Sequence, residues 1–353
     1  MSESRADRLA ALARERELDF LLVTNLAHVR YLTGYTGDNG MALIGRDERL
    51  FWTDFRYVAQ VEREVRDFER LRGKQDLLAD VAARLSGRVG FDEANVTVKQ
   101  HDRLSELAPG AELVRAAGLV ERLREVKDAG ELRAIREAAR LADSVIQELS
   151  EQGFAGRTER QVAVWMERAM VDRGAERPSF PAIVASGPQG ALPHATPRDV
   201  EIPRDTLVVV DWGCVLDGYC SDCTRTFATG DPGAGALEVY ELVRSAQAEA
   251  REAVRAGAGC REVDAVARER ISEAGHGEDF GHGLGHGVGL EVHEEPRLSP
   301  SAEGDLRAGN VVTVEPGVYL KDDFGVRVED LVVVTEGGCE VLSGFTKDLV
   351  TLS

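Results

Sequence analysis

Three histidines stand among glycines in the stretch GHGLGHGVGLEVHEEP, residues 281–296, where every second residue from Gly281 to Gly289 is a glycine. Imidazole is a metal ligand, an acid or base, or a hydrogen-bond donor. Three of the chain's seven histidines within twelve residues therefore mark a candidate site. His282 and His286 have the i, i+4 spacing of a helical metal-binding pair. A helix fails on energetics, because five glycines in nine residues each cost about 1 kcal/mol in a helix interior relative to alanine. An extended or looped backbone follows, in which glycine lets a ligand or another strand come close. The competing reading is a surface loop with incidental histidines, and the decision rests on whether the rest of the chain supplies acids.

It supplies four, in apolar β-like segments. The run LVVV, residues 207–210, leads into Asp211 and turns back through Asp217-Gly218, a two-residue hairpin signal. With those residues as the turn, Leu216 pairs with Tyr219, Gly213 faces Asp222, and Asp211 and Asp222 become diagonal neighbours on one face. Two adjacent carboxylates repel unless a proton or a cation lies between them. The alternative is that one of them is exposed or hydrogen-bonded in a turn. Glu315 ends the apolar run VVTVE, and Arg327 and Glu329 share a face of the strand VRVED. Burying such acids is costly unless they are paired or bound to metal, although Glu329 could simply pair with a surface lysine. Carboxylate oxygens with one imidazole suit two divalent ions such as manganese, cobalt, iron or zinc. A structural zinc prefers thiolates.

Composition narrows the function class. The formal charge of −19 lacks the basic stripe that phosphate binding requires, so neither nucleic acid nor an anionic membrane surface is an expected partner. Five cysteines, an odd number, do not make a disulfide framework. Cys214, Cys220 and Cys223 cluster, and core thiols, a redox or zinc pair and a disulfide all remain open for them. The first twenty residues are charged throughout, without the apolar core of a secretion signal, and no apolar run approaches a membrane span. A cytoplasmic location is expected.

The elements that must position these residues divide the chain in two, as its 353 residues suggest. Residues 1–120 alternate strands (18–23, 41–44, 50–53, 89–91) with helices (5–17, 55–65, 76–85, 98–107), which predicts an α/β domain with a mixed sheet. YTGDNG, residues 35–40, is rich in turn formers and predicts an exposed loop. Residues 121–353 open with long helices. Asp128 caps one that runs to about residue 149, and Thr158 with Gln161 forms a capping box for another ending near 174. A Pro/Ser/Gly-rich segment, residues 177–193, brings in His194. Helices over 236–255 and 261–274 and strands over 207–214, 219–229, 311–315 and 326–334 complete the pattern.

Taken together, Asp211 with Asp222 in SDCTRTF, His286 in GHGVGLEVHEEP, Glu315 in VEPGVY and Glu329 in GVRVED resemble the ligand set of the pita-bread metallopeptidases. Within them the chain is most similar to the Xaa-Pro dipeptidases (prolidases) and Xaa-Pro aminopeptidases (the aminopeptidase P type). The likeness runs from about Arg124 to the end, and YLTGYTGDNG and FWTDFRYVAQ resemble the smaller domain. It implies an α+β architecture, a pita-bread catalytic domain preceded by a creatinase-type α/β domain. It implies two divalent ions, manganese first with cobalt or zinc as alternatives: Asp211 chelates one, His286 and Glu315 bind the other, and Asp222 and Glu329 bridge. Glu315 would also take a proton from the attacking water, with His194 and His293 hydrogen-bonding the substrate. His282 would line the substrate pocket, Arg327 would orient a ligand, and Arg297 is a candidate for a free proline carboxylate. A homodimer is implied, with the Asp38–Asn39 loop able to reach a partner's site. The expected partner is a short proline-containing peptide, with dipeptides and longer peptides both open. A creatinase-like hydrolase or a non-catalytic scaffold on the same fold is the alternative, and the five intact ligand positions weigh against both.

Overall fold

The computed structural model describes residues 4–352 and divides into two compact units, Met1–Arg124 and Glu125–Ser353. In the first unit a six-stranded mixed sheet has the order Glu69–Arg72, Arg49–Thr53, Gly40–Gly45, Phe20–Val23, Gly87–Phe91, Ala111–Arg115. Leu22, Leu43, Leu50, Trp52 and Val89 on one face pack with Leu78, Val81 and Leu104 of the helices Leu78–Ala82 and Val98–Leu107. The two outermost strands escape the sequence pattern because ERLR and AELVR are edge strands with polar, partly exposed side chains. The helix Leu26–Thr33 escapes because it is only two turns long, held by the Asn25 cap and by Gly34 in the left-handed region.

The YTGDNG segment is not wholly exposed. Tyr35 is buried, its ring meets Phe51 edge-on, and its hydroxyl donates to the Asn39 carbonyl at 3.2 Å. A buried aromatic thus anchors a turn whose Thr36 and Asp38 face solvent.

In the second unit two helix pairs each back an antiparallel sheet. Ala129–Gln152 and Glu159–Asp172 cover the sheet Ile183–Ser186, Leu207–Trp212, Cys223–Ala228, with Ile146, Met166, Val208, Val210, Trp212 and Phe227 in the core. Ala234–Ala253 and Cys260–Glu273 pack on the sheet Glu294–Leu298, Gly285–Gly287, Val311–Val314, Asp330–Thr335, Gly338–Val341. The Thr158–Gln161 capping box forms, and Asp128 caps its helix in a box with Glu131.

Three strands read as continuous are broken. Leu207–Trp212 stops at Gly213, and Cys214–Leu216 continues in another sheet with Tyr219–Cys220 before Cys223–Ala228 resumes the first ladder. Asp217 and Gly218, at φ 50° and 81°, make the turn, and the register runs through the interruption: Leu216 pairs with Tyr219 and Asp211 with Thr224. The segment VRVED splits likewise, Phe324–Arg327 belonging to a two-stranded ribbon and Asp330–Thr335 to the five-stranded sheet. A hydrophobic run gives no signal of such a change of partner, because both halves remain buried and extended.

Within the glycine-histidine stretch Gly285–Gly287 forms a strand between segments of bends, and its glycines serve close approach. A Cβ on Gly285 would lie 2.0 Å from the Thr313 carbonyl oxygen, and one on Gly287 would lie 2.3 Å from that of Glu295. Gly285→Ala is therefore expected to push the neighbouring Val311–Val314 strand aside and to lower stability by about 1–3 kcal/mol, measured by urea denaturation.

Candidate metal centre

The strand ends and breaks of the second unit bring five sequence-predicted side chains to one point. Asp211 projects from Leu207–Trp212, and Asp222 sits just before Cys223–Ala228. His286 lies on Gly285–Gly287, Glu315 follows Val311–Val314, and Glu329 occupies the break before Asp330–Thr335. Carboxylate oxygens of Asp211, Asp222 and Glu329 all lie within 4.8 Å of one another. His286 Nε2 is 3.2 Å from Glu315 Oε1 and 3.6 Å from Asp222 Oδ2.

The electrostatics call for a cation. Like charges at that separation repel by about 3 kcal/mol per pair at an effective dielectric near 20, against one guanidinium, that of Arg327. Burial first, and then the charges of Glu329, Asp211 and Glu315, push the Asp222 carboxyl well above its ordinary range. Glu329 is raised in the same way by burial and by Glu315 and Asp211. Asp211 is raised by burial, with Arg327 working against the rise. Glu315 is the exception: burial would raise it, but His286, His282 and Arg327 bring it down to about 2.

Two oxygens, Asp211 Oδ1 and Glu329 Oε1, are buried without a hydrogen-bond partner. His286 Nδ1 lies 3.1 Å from the Gly287 carbonyl oxygen, and Nε2 points toward two carboxylates. Only a proton or a metal ion among them reconciles these groups. The set of four carboxylates and one imidazole, without a thiolate, fits divalent ions that prefer oxygen. A second group, His28, Asp92 and Glu121 in the first unit, is built differently. Its two ring nitrogens face different acids at 3.9 and 3.8 Å, the arrangement of an ion-pair bridge and not of one coordination sphere.

A cavity of about 520 Å³ opens over the cluster. His194, His282, His293, Arg297 and Arg327 all line it, opposite apolar surface from Phe180, Pro181, Ile183, Pro193 and Pro197. His194 and His293 are exposed on its wall. The His293 ring meets that of His286 edge-on with centroids 4.3 Å apart, and although one side of the ring is open, partial desolvation by the cavity wall, then the His286 and Arg297 charges, lowers it to about 4. Both His282 nitrogens are engaged, Nδ1 with the Gly283 carbonyl at 2.7 Å and Nε2 with the Tyr319 hydroxyl at 2.9 Å. Arg297 is exposed, its Nε 4.0 Å from Glu295 Oε1. Arg327 is buried and donates to Asp211 Oδ2 at 2.7 Å, to Tyr319 at 2.9 Å and to the Pro193 carbonyl at 3.1 Å.

Thr224 and Tyr319 were not singled out from the sequence. The Thr224 hydroxyl donates to Glu329 Oε2 at 2.7 Å and accepts from Arg327 Nε at 3.0 Å. Strand alternation from Asp222 could have found it, whereas nothing in VYL distinguishes Tyr319. All five cysteines are free thiols. Burial pushes Cys214 up to about 11 and Cys220 to about 12, which suits core thiols and not a redox pair.

The chain belongs to metallopeptidase family M24, which it matches over residues 133–336, and residues 5–126 match the creatinase/prolidase N-terminal domain. It is thus a metallopeptidase of the pita-bread fold with a creatinase-type domain in front. Along 99% of its length and all of the relative's, it is 34% identical to an Xaa-Pro dipeptidase of Pyrococcus furiosus. The solved structure of an Xaa-Pro dipeptidase from Bacillus anthracis superposes with a TM-score of 0.95 at 36% identity, covering 99% of both chains. An X-Pro aminopeptidase structure from Thermotoga maritima gives 0.87 at 36% identity, over 96% of this chain and 99% of that one.

Asp222→Asn removes one of the repelling charges. A carboxyl whose folded pKa is raised loses stability as pH climbs from its unfolded value, about 4, toward the folded one. In chelator-treated protein the variant is expected to melt higher than the wild type, by a margin that widens as pH rises. Thermal denaturation across pH 5 to 8 checks it.

Proposed function

We propose that the chain is a dinuclear metal-dependent exopeptidase that hydrolyses the Xaa-Pro bond at the N-terminus of dipeptides or short peptides. The observation that carries this reading is the convergence of Asp211, Asp222, His286, Glu315 and Glu329, with two unpartnered carboxylate oxygens, beneath a cavity walled by histidines. The names carried by relatives along the whole chain supply the substrate class. Asp211 would hold one ion, His286 and Glu315 the other, with Asp222 and Glu329 shared. When bound, two such ions supply a Lewis acid for the scissile carbonyl and an acidified water, with manganese the first expectation.

The chain's own residues do the rest. Glu315, with its pKa brought down to about 2, is ionised at neutral pH and accepts the proton of the attacking water. His293, lowered to about 4, is a neutral imidazole near pH 7. With His194 it hydrogen-bonds the peptide carbonyl and the negative charge that develops on its oxygen. His282 cannot donate freely, because both nitrogens are engaged, so it contributes a wall, held by Tyr319. Arg327 fixes the Asp211 carboxylate. The bond before proline is a tertiary amide with no N–H, so recognition falls to ring shape, for which the Phe180, Pro181 and Ile183 surface is suited. Arg297 offers a cation to a carboxylate at the far end of the substrate. Members of such a family commonly pair as homodimers, which we extend to this chain.

Chelation is expected to abolish Xaa-Pro cleavage and manganese to restore it. Glu315→Gln should lower kcat by about 10²- to 10⁴-fold, the usual range for losing a general base. Assays of purified protein on Xaa-Pro and Xaa-Pro-Yaa peptides check both points and fix the preferred length. Undiminished cleavage by exhaustively metal-free protein would overturn the reading.

A further inference from the structure

Glu329 lies where two strands part. Phe324–Arg327 pairs with Gly317–Leu320, whereas Asp330–Thr335 pairs with Val311–Val314 and Gly338–Val341. The backbone of Val328 and Glu329 therefore falls between two ladders, and buried main-chain groups there need partners from elsewhere. The Val328 N–H donates to the Pro316 carbonyl at 3.5 Å, and the Cys223–Ala228 strand provides the partners of Glu329. The Glu329 N–H donates to the Thr224 carbonyl at 3.1 Å, and the Glu329 carbonyl accepts from Arg225 Nη1.

Arg225 is among the largest fully buried side chains of the protein, and its guanidinium is saturated by three stretches of chain. Nη1 also donates to the Thr224 carbonyl at 2.9 Å, Nη2 to the Phe345 carbonyl at 2.7 Å and Asp330 Oδ1 at 3.0 Å, and Nε to the Thr346 carbonyl at 2.9 Å. Asp330 is fixed in turn by Gln247 at 3.0 Å and by Lys347. Strand alternation sends the Thr224 and Arg225 side chains to opposite faces. Glu329 is consequently gripped three times by one strand: Thr224 holds its N–H and its carboxylate, and Arg225 holds its carbonyl.

We infer that Arg225 is a positioning residue for the metal centre, fixing the main chain of Glu329, and with it the shared carboxylate, although it does not line the cavity. The inference rests on the reading of Glu329 as a metal ligand. Only a planar fork of five donors meets this set of acceptors; a lysine ammonium at the same position would leave several of them bare.

The test is a manganese titration of chelator-treated protein, following free Mn²⁺ by electron paramagnetic resonance, for wild type, Arg225→Lys and Ile146→Val. The last is a core variant on the Ala129–Gln152 helix that lowers thermal stability and does not line the cavity. Wild type is expected to bind two ions. Arg225→Lys should bind them about 10- to 100-fold more weakly, the usual effect of removing a group that orients a ligand, while Ile146→Val keeps wild-type affinity. Folded Arg225→Lys that binds two ions as tightly as wild type would overturn the inference and leave the metal-centre reading intact; a wild type that binds no manganese would overturn that reading itself. Should Arg225→Lys not fold, the paired change Asp330→Asn with Lys347→Met loosens the guanidinium while removing opposite charges together. Weakened manganese binding there supports the inference, and unchanged binding overturns it.

Discussion

Three carboxylates crowded within 4.8 Å of one another, with a fourth joined to them through His286, are the constraint on which the catalytic unit is built. Burial limits the relief that water can give them, and Arg327 pairs with a single oxygen, Asp211 Oδ2. Positive charge has to be supplied from outside the polypeptide. This orders the rest of the site: an imidazole nitrogen turned toward two acids, acceptor oxygens without donors, and a hydroxyl at Thr224 that can hold Glu329 without adding charge. The fold tolerates the strain because the acids sit at the ends and breaks of strands whose remaining residues are packed apolar core.

Those breaks explain how one point can draw on five separate stretches of chain. A side chain in the middle of a ladder is confined to its own sheet. At Gly213, at Glu315 and at Val328–Glu329 the chain leaves one set of partners and joins another, and at each place a ligand candidate lies close by. The backbone groups freed by these changes are taken up by neighbours, as in the Glu315 N–H to the Leu284 carbonyl at 2.8 Å. Irregularity in the ladders is thus paired with regularity in the donor set.

Much of this could be read in the sequence. Alternation and the Asp-Gly turn placed Asp211 and Asp222 on one face as diagonal neighbours, and the register found here, Asp211 opposite Thr224, agrees. The glycine spacing excluded a helix and anticipated close approach, which the clash at Gly285 makes concrete. Changes of strand partner inside VRVED and SDCTRTF were not legible, since a buried extended run looks the same whichever neighbour it pairs with. Tyr319 and the saturation of both His282 nitrogens were equally hidden, because they depend on a ribbon whose pairing is set by tertiary packing. The polar edge strands of the first unit carry no alternation to detect, and the buried Tyr35 is concealed in a segment composed like a free turn.

The Asp217-Gly218 hairpin does more than reverse the chain. Because its register survives the excursion of Cys214–Leu216 and Tyr219–Cys220 into another sheet, the ten residues between Asp211 and Asp222 act as a ruler. Lengthening one arm by a single residue would turn one acid to the opposite face of the sheet, so this stretch can drift in chemistry but not in length. In a chain whose surface loops can lengthen at little cost, that fixed count ties the length of the hairpin to the placing of its two acids.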